Sequence, residues 1–202
     1  MRWCLLLLAL ISQLYGCGAG LQGLATLPAL HPDRPSLWQV NIGEGESAVF
    51  TGLLVLKPEG DVLRAVLLDS MGIKLLEEKI GRGGEVEIVS GIEAVTSRRL
   101  PAFLGEGIHR LFFSPGPQDG KICRSDGIVA KVCLGEKGVG HLVKLRRTGP
   151  FVLWSVDYFI NNYDSFAEMT GARLDSGWFV PSLHLKKKDM LNGATGDAAE
   201  DQ

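Results

Sequence analysis

The chain lacks the residue patterns that usually mark an enzyme. Its four histidines, His31, His109, His141 and His184, are scattered through the sequence. There is no H-E-x-x-H sequence, nucleophile elbow or triad spacing. There is also no C-x-x-C pair with a nearby histidine, which excludes the common zinc sites. We therefore expect no catalytic set, metal ion or cofactor, and a protein that is not an enzyme.

The chain also has no excess of positive charge. The 202 residues include 21 Lys and Arg against 23 Asp and Glu, which gives a formal net charge of -2. Proteins that hold nucleic acid usually carry a basic excess that neutralises phosphates, so no nucleic-acid partner is expected. No internal repeat stands out, and the length suits one domain around a single core.

The first seventeen residues have the layout of a secretory signal. Arg2 supplies a positive start, residues 3–14 are mostly apolar, and the small residue Gly16 precedes Cys17. The apolar run is about twelve residues long, too short to span about 30 Å of hydrocarbon as a helix. The segment can be the signal of a lipid-anchored protein, an ordinary secretory signal or an uncleaved anchor.

The four residues Leu14-Tyr15-Gly16-Cys17 resemble the bacterial lipobox, with Tyr15 where a small residue is usual. The resemblance implies that residues 1–16 are a signal peptide and that the thiol of Cys17 carries a diacylglycerol. The mature protein would then be tied to a membrane by lipid. Gly18 stands where enterobacterial inner-membrane lipoproteins tend to have aspartate, which favours the periplasmic face of the outer membrane.

The remaining sequence predicts one mainly β domain with helices, an α+β fold. Residues 17–37 are rich in Leu, Ala and Pro and predict a tether, whereas the polar, acidic residues 189–202 predict a disordered tail. Between them, in residues 38–188, apolar runs alternate with turn sequences, which is typical of an antiparallel meander. The predicted strands are 47–57, 61–68, 73–80, 85–89, a hairpin over 122–133, 141–147, 151–159, 171–174 and 178–185.

A helix interrupts this β pattern. Apolar residues recur at helical spacing between Leu100 and Phe112, Pro101 fits the first turn, and a Pro-rich segment follows Ser114. We expect a helix over 101–113 and a shorter helical piece over 92–99. The early strands are apolar on both faces, so one face must meet the core and the other a helix or a ligand.

The large apolar side chains of these elements are the candidate ligand-lining residues. The same residue types form ordinary cores and acyl-chain pockets, so the sequence leaves these two alternatives open. In 151–159, alternation predicts Val152, Trp154, Val156 and Tyr158 on one face. The candidates for lining are Leu54, Leu67, Phe103, Leu104, Trp154, Tyr158 and Trp178.

Two cysteines stay in the domain if Cys4 leaves with the signal and Cys17 carries lipid. An oxidising compartment allows a disulfide between Cys123 and Cys133. A two-residue turn at Asp126-Gly127 would instead place Cys123 opposite Ala130. A bridge therefore requires a longer loop or a bulge, and two buried free thiols are the alternative.

Two segments resemble the LolA/LolB-like periplasmic lipoprotein carriers. The first is the strand-turn-strand Val62-Leu63-Arg64-Ala65-Val66-Leu67-Leu68-Asp69-Ser70-Met71-Gly72-Ile73-Lys74-Leu75. The second is Leu174-Asp175-Ser176-Gly177-Trp178-Phe179-Val180-Pro181-Ser182-Leu183-His184-Leu185, which resembles their closing strand pair. The lipobox matches LolB, itself an outer-membrane lipoprotein, and an uncharacterised lipoprotein branch of the group is the nearest match.

The resemblance implies an unclosed antiparallel β half-barrel with an apolar concave face and a helical lid over 101–113. Such proteins bind acyl chains without chemistry, so the expected partners are a membrane, through the lipid of Cys17, and a hydrophobic ligand or lipoprotein acyl chain. A monomer is expected. The turn at Ser70-Met71 is the candidate counterpart of LolB's protruding apolar loop. The alternative is an envelope-assembly lipoprotein with a filled core and a protein-binding surface.

Overall fold

The computed structural model describes residues 34–44, 47–114, 116–117, 122–163, 166–177 and 180–188. Cys17, Trp178 and the predicted tail lie outside these residues. Most of the described chain is extended, so the expected mainly β fold with helices is confirmed. The strands are β1 Ser36–Glu44, β2 Ser47–Glu59, β3 Val62–Leu68, β4 Lys74–Gly81, β5 Val86–Gly91, β6 Cys123–Asp126, β7 Ala130–Gly138, β8 His141–Thr148, β9 Phe151–Tyr163, β10 Phe166–Asp175 and β11 Ser182–Lys188.

These eleven strands form one sheet in the order β5-β4-β3-β2-β1-β11-β10-β9-β8-β7-β6, and all neighbouring pairs are antiparallel. The first and last strands are neighbours in the middle, where Val40 lies opposite Leu185. Within the described residues, β5 and β6 are the two edges, and the sheet does not close between them. The expected unclosed antiparallel sheet is therefore confirmed.

Strand direction decides which turns share an end of the sheet. Because neighbouring strands alternate in direction, the β1–β2, β3–β4, β6–β7, β8–β9 and β10–β11 turns lie at one end, which we call the upper end. The β2–β3, β4–β5, β7–β8 and β9–β10 turns lie at the other, the lower end.

Two helices occupy the connection between the edge strands. The short α1 is Glu93–Thr96, and α2 is Leu100–Ile108 with Pro101 in its first turn. The chain continues as a π-helical turn, His109–Phe113, in which the amide of Ser114 donates to the carbonyl of His109 at 2.8 Å. We call Leu100–Phe113 the helical segment. Among the described residues, no helix is both long and apolar enough to cross a bilayer.

The sheet curves around the helical segment. A β-carbon built on Gly105 would lie 2.6 Å from Val86 of β5, and one built on Gly107 would lie 3.3 Å from Leu174 of β10. In a flat sheet, β5 and β10 would be six strand spacings apart, about 29 Å at about 4.8 Å each. Residues two apart on a helix are separated by only about 3 Å along its axis. Both strands can contact the same helix only if the sheet wraps around it.

Alternation along each strand separates an inner face, which meets the helical segment, from an outer face. On β3, Leu63, Ala65 and Leu67 are buried, while Val62 and Val66 are half-buried on the other side. The core therefore lies between the inner face and the helical segment. The outer face of these early strands is mostly half-buried and mixes apolar side chains with charged ones such as Arg64 and Glu77.

The structure corrects several sequence expectations. Val152 does not share the face of Trp154, because β9 has a bulge where Arg146 pairs with Trp154 but Arg147 pairs with Val152. Val152 is consequently exposed. In addition, β1 begins at Ser36, inside the predicted tether, and β10 extends back to Phe166. A bulge near Met169 in β10 interrupts the alternation that would have revealed its first half.

Candidate functional site

The inner face is lined mainly by wholly buried aliphatic side chains. They arise because apolar residues stand at most alternate positions of β2, β3 and β4, and every second side chain of a strand points to the same face. Register places Leu54 opposite Leu67, and Leu67 opposite Leu76. The fully buried members of this row are Leu54, Leu56, Leu63, Leu67, Leu76 and Ile80.

Six of the seven candidate lining residues belong to a single cluster. Leu54, Leu67, Leu104, Trp154 and Tyr158 are buried in the core, and Phe103 packs against it. Trp178 lies outside the described residues. The structure thus brings residues from β2, β3 and β9 together with residues of the helical segment in one core. All five buried members are at most 6% exposed, and Leu104 of the helical segment packs in one cluster with the four from the sheet.

The helix sits close to the sheet because two of its residues have no side chain. A β-carbon at Gly105 would approach both methyl groups of Val86 to within 2.8 Å, and one at Gly107 would lie 2.9 Å from Leu183. Real β-carbons almost never come so near, so glycine at these positions allows the close approach. Further along, Phe112 contacts Trp38 of β1 with ring centroids 6.1 Å apart.

Polar groups of β8 and β9 hold the C-terminal end of the helical segment. The ammonium of Lys144 donates to the carbonyls of Arg110 and Ser114, the latter at 3.1 Å. The hydroxyl of Tyr158 donates to the carbonyl of Leu111 at 2.8 Å. The last carbonyls of a helix have no partner within it and carry its negative dipole end, so a buried lysine and a phenol satisfy them. Sequence analysis did not find Lys144, because lysine in a strand usually lies on the solvent side.

Burial changes the ionisation of both groups. The pKa of Lys144 falls to about 7, because burial disfavours its charged form and Arg124 lies nearby. The pKa of Tyr158 rises because the fully buried phenol cannot ionise without losing its hydration. Tyr158 is therefore neutral and can donate at any ordinary pH.

Glu78 is another buried polar group of the inner face, and the sequence analysis also missed it. It lies on β4 between Leu76 and Ile80, opposite Ala65 of β3 and Ile88 of β5. Its side chain is wholly buried, and neither carboxyl oxygen has a hydrogen-bond partner in the part of the chain that the structure describes. Burial raises its pKa to about 8, so the group is mostly protonated at neutral pH.

Arg110 connects the helical segment to the upper end of the sheet. Its guanidinium donates to Ser176 Oγ at 3.1 Å and to Glu106 Oε2 at 2.8 Å. It also lies 5.9 Å from the ring centre of Trp154, within cation–π range. His109, the preceding residue, contacts the carbonyl oxygen of Arg82 through its Nε2 at 3.1 Å.

The described histidines do not form a common site. His141 contacts Asp157 at 3.3 Å, and His184 contacts Ser182 Oγ at 3.0 Å. The hydroxyl of Ser182 has one proton, which it donates to the carbonyl of Gly43 at 2.6 Å. His184 therefore donates to Ser182 and does not activate it as a base would. In the described ranges, no three His, Cys, Asp or Glu residues are grouped so as to hold a metal ion.

Cys123 and Cys133 lie directly opposite each other on β6 and β7 and are joined as a disulfide. The loop between the strands is Gly127–Val129, because Asp126 pairs with Ala130. This loop is one residue longer than the two-residue turn considered from the sequence and begins one residue later, at Gly127. Together the two differences move the partner of Cys123 from Ala130 to Cys133. The disulfide links the edge strand β6 covalently to its neighbour β7.

The comparisons with known proteins give no family for this chain. No protein-family model matches the sequence, and no curated protein sequence is significantly similar to it.

Proposed function

We propose that this protein is an outer-membrane lipoprotein that binds a lipid, a lipoprotein acyl chain or another hydrophobic molecule between its curved sheet and its helical segment. The observation that carries the proposal is the inner face itself. Its aliphatic row is continuous across β2, β3 and β4, and the helical segment is the element that covers it. Displacement of the helical segment would expose an apolar concave surface suited to an acyl chain.

The attachment of the helical segment is consistent with such a displacement. Its C-terminal end is tied to the sheet by hydrogen bonds from Lys144 and Tyr158, and its centre contacts β5 at Gly105, which inserts no side chain. The segment also belongs to the connection between the two edge strands, β5 and β6, so it can move without breaking the sheet ladder. Its π-helical turn, a feature often found at functional sites, lies at the end that is tied.

The likeness to LolA/LolB-like carriers supports the same proposal. An unclosed antiparallel sheet with a helix over its concave face is the arrangement that the resemblance implies. The candidate counterpart of LolB's apolar loop is the β3–β4 turn, in which Met71 is 83% exposed and Ile73 57% exposed. Asp69 shapes this turn by accepting hydrogen bonds from the amides of Met71 and Ile73 at 2.9 and 2.8 Å.

A disulfide lock on the helical segment tests the proposal. A β-carbon at Gly105 would lie 3.3 Å from the β-carbon of Val86, close to the separation of about 3.5–4.5 Å in natural disulfides. With Gly105→Cys and Val86→Cys, the oxidised protein should not take up a fluorescent fatty acid, whereas the reduced protein should. Wild type, measured under both conditions, controls for reduction of Cys123–Cys133, and the single variant Gly105→Cys controls for the glycine change.

Equal uptake by the locked and unlocked forms would contradict a site beneath the helix. An envelope-assembly lipoprotein with a filled core is the second candidate, and the near-complete burial of the inner face favours it. This alternative predicts that wild type takes up no probe and that solvent extraction of the purified protein releases no lipid. Crosslinking in cells would then capture a protein partner instead.

A further inference from the structure

Exposed apolar side chains are concentrated at the upper end of the sheet, most densely where β6–β9 turn. Ile128 and Val129 in the β6–β7 turn are 102% and 69% exposed, and Phe151 and Val152, which follow the β8–β9 turn, are 73% and 53% exposed. Leu153 is 41% exposed. We call these five residues the apolar tip.

Register shows that the apolar tip is one continuous patch. Ala130, Thr148 and Phe151 stand in one row across β7, β8 and β9, and the β6–β7 and β8–β9 turns lie just above this row. Neighbouring strands are about 4.8 Å apart, so side chains of the two turns are adjacent. Beside them, a β-carbon built on Gly177 would lie 3.2 Å from the carbonyl oxygen of Leu153, which brings the β10–β11 turn against the tip.

Two cations border the tip. Lys131 and Arg147 pair directly across β7 and β8, and Arg147 also pairs with Val152. Both are exposed, and neither forms an ion pair with any residue that the structure describes. The nearby carboxylate of Asp126 is already engaged by Arg146 at 2.6 Å. Like charges placed opposite each other in a sheet cost stability, so this pair calls for an anionic partner.

We propose that the apolar tip inserts into the surface of a membrane containing anionic phospholipid, with Lys131 and Arg147 contacting the headgroups. Peripheral proteins bind in this way, by placing a few apolar side chains at the acyl boundary with basic residues around them. A protein partner fits less well, since a stable interface takes roughly 20–30 residues from each side. A second copy fits less well still, because two tips would bring their unpaired cations together.

The opposite end of the same strands supplies a matched control. Val139, in the β7–β8 turn at the lower end, is 98% exposed, more than any residue of the tip except Ile128. An added tryptophan therefore reports on each end: Phe151→Trp at the tip and Val139→Trp at the lower end. The full chain is reconstituted in vesicles of phosphatidylcholine and phosphatidylglycerol with brominated acyl chains, which quench only tryptophan that reaches them. The added emission of Phe151→Trp should be quenched and that of Val139→Trp should not; equal quenching, or quenching only of Val139→Trp, would overturn the proposal.

Partitioning provides a second measurement, in the full chain carrying Cys17→Ala so that no lipid anchor dominates. The pair Ile128→Asp and Phe151→Asp should weaken binding to the same vesicles about tenfold or more, because two apolar insertions are lost, whereas Val139→Asp should not. Lys131→Gln with Arg147→Gln should remove the preference for phosphatidylglycerol over phosphatidylcholine alone. Unchanged partitioning of the tip variants would contradict the proposal. The proposal would also be contradicted if these variants kept their membrane binding but lost self-association or a crosslinked protein partner. The result does not depend on whether the inner face binds a ligand.

Discussion

The ammonium nitrogen of Lys144 lies 5.4 Å from the centre of the Tyr158 ring, and both side chains donate hydrogen bonds to the same turn of the helical segment. They come from the neighbouring strands β8 and β9. Lys144 pairs with Val156, and Leu142, two residues before Lys144, pairs with Tyr158. The two groups thus form one buried polar attachment in a mainly apolar interface. If the helical segment acts as a lid, these hydrogen bonds attach its C-terminal end to the sheet.

Tyr158→Phe tests the strength of this attachment. The substitution keeps the ring and removes the hydrogen bond that the hydroxyl donates to the carbonyl of Leu111. We expect a loss of about 1–3 kcal/mol in the free energy of unfolding, measured by urea denaturation. Hydrogen exchange should also accelerate in residues 109–114 more than in the strands.

Thr170→Val is the control for Tyr158→Phe. Thr170 also donates to a carbonyl, that of Phe159 at 3.1 Å, but from an exposed position where water can replace it. Its loss should cost little. Equal effects of the two substitutions would show that the hydroxyl of Tyr158 has no special role in holding the segment.

Glu78→Met should stabilise the protein, most of all in alkaline solution. The folded state raises the pKa of Glu78 to about 8, so the folded protein binds a proton more tightly than the unfolded chain. Stability contributed by this group therefore falls as the pH rises from the ordinary glutamate pKa towards 8, by about 1.4 kcal/mol for each unit of pKa difference. The variant should lose this decline in thermal unfolding measured across the pH range, and Glu87→Met, at an exposed position of β5, should retain it.

Lys144→Met should remove the opposite limb of the same pH profile. The pKa of Lys144 is lowered to about 7 in the folded protein, so the unfolded chain binds the extra proton between pH 7 and the ordinary lysine pKa. Stability contributed by Lys144 accordingly rises with pH over that range. With Glu78 acting below pH 8, wild type should have its stability minimum near pH 7–8. A wild-type profile that is flat from pH 5 to 10 would contradict both burial-driven shifts.

Gly105→Ala should push the helical segment away from β5. The added carbon would lie 2.6 Å from a methyl group of Val86, so either the side chain or the helix must move. We expect a loss of roughly 1–3 kcal/mol in unfolding free energy, typical of overpacking. Adding Val86→Ala should restore part of this loss, and Gly138→Ala, where nothing lies within 4 Å of the new carbon, should have a small effect. An unchanged free energy of unfolding in Gly105→Ala would contradict close packing of the helical segment against β5.

Opening the bridge with Cys123→Ser and Cys133→Ser should destabilise the β6 edge. The bridge closes a loop with a sequence separation of 10 residues, for which chain entropy predicts about 3 kcal/mol. The loss should appear in urea denaturation of the double variant and of reduced wild type alike. If reduction leaves wild-type stability unchanged, the bridge is not formed in solution or does not constrain the unfolded chain.

Much of the fold followed from local pattern. Alternating runs between turn sequences predicted the meander, and the helical spacing from Leu100 to Phe112 predicted the helical segment. The position of Glu78 was also implicit, since alternation places it on the face of Leu76 and Ile80. It went unrecognised because the neighbouring Glu77 and Lys79 make β4 look solvated. Glu77 in fact lies on the outer face, where the hydrogen bond from Lys74 lowers its pKa.

Other features had no local signal. The bulge that turns Val152 outward depends on how β9 pairs with β8. The alignment of Cys123 with Cys133 depends on the length of the β6–β7 loop and on where it begins. Lys144 looks like an ordinary surface lysine until the end of the helical segment is placed above it. Likewise, Ile128 and Phe151 become one surface only after the strands that carry them are paired.

The sequence by itself determined the classes of element, their order and the apolar character of the inner face, because these depend on side-chain periodicity and turn chemistry within a few residues. The tertiary structure decided what the inner face meets, which polar groups are trapped beneath the helical segment, and which exposed apolar residues share one end of the sheet. These outcomes depend on contacts between residues far apart in the chain, and such contacts are selected by the packing of the whole sheet around the helix.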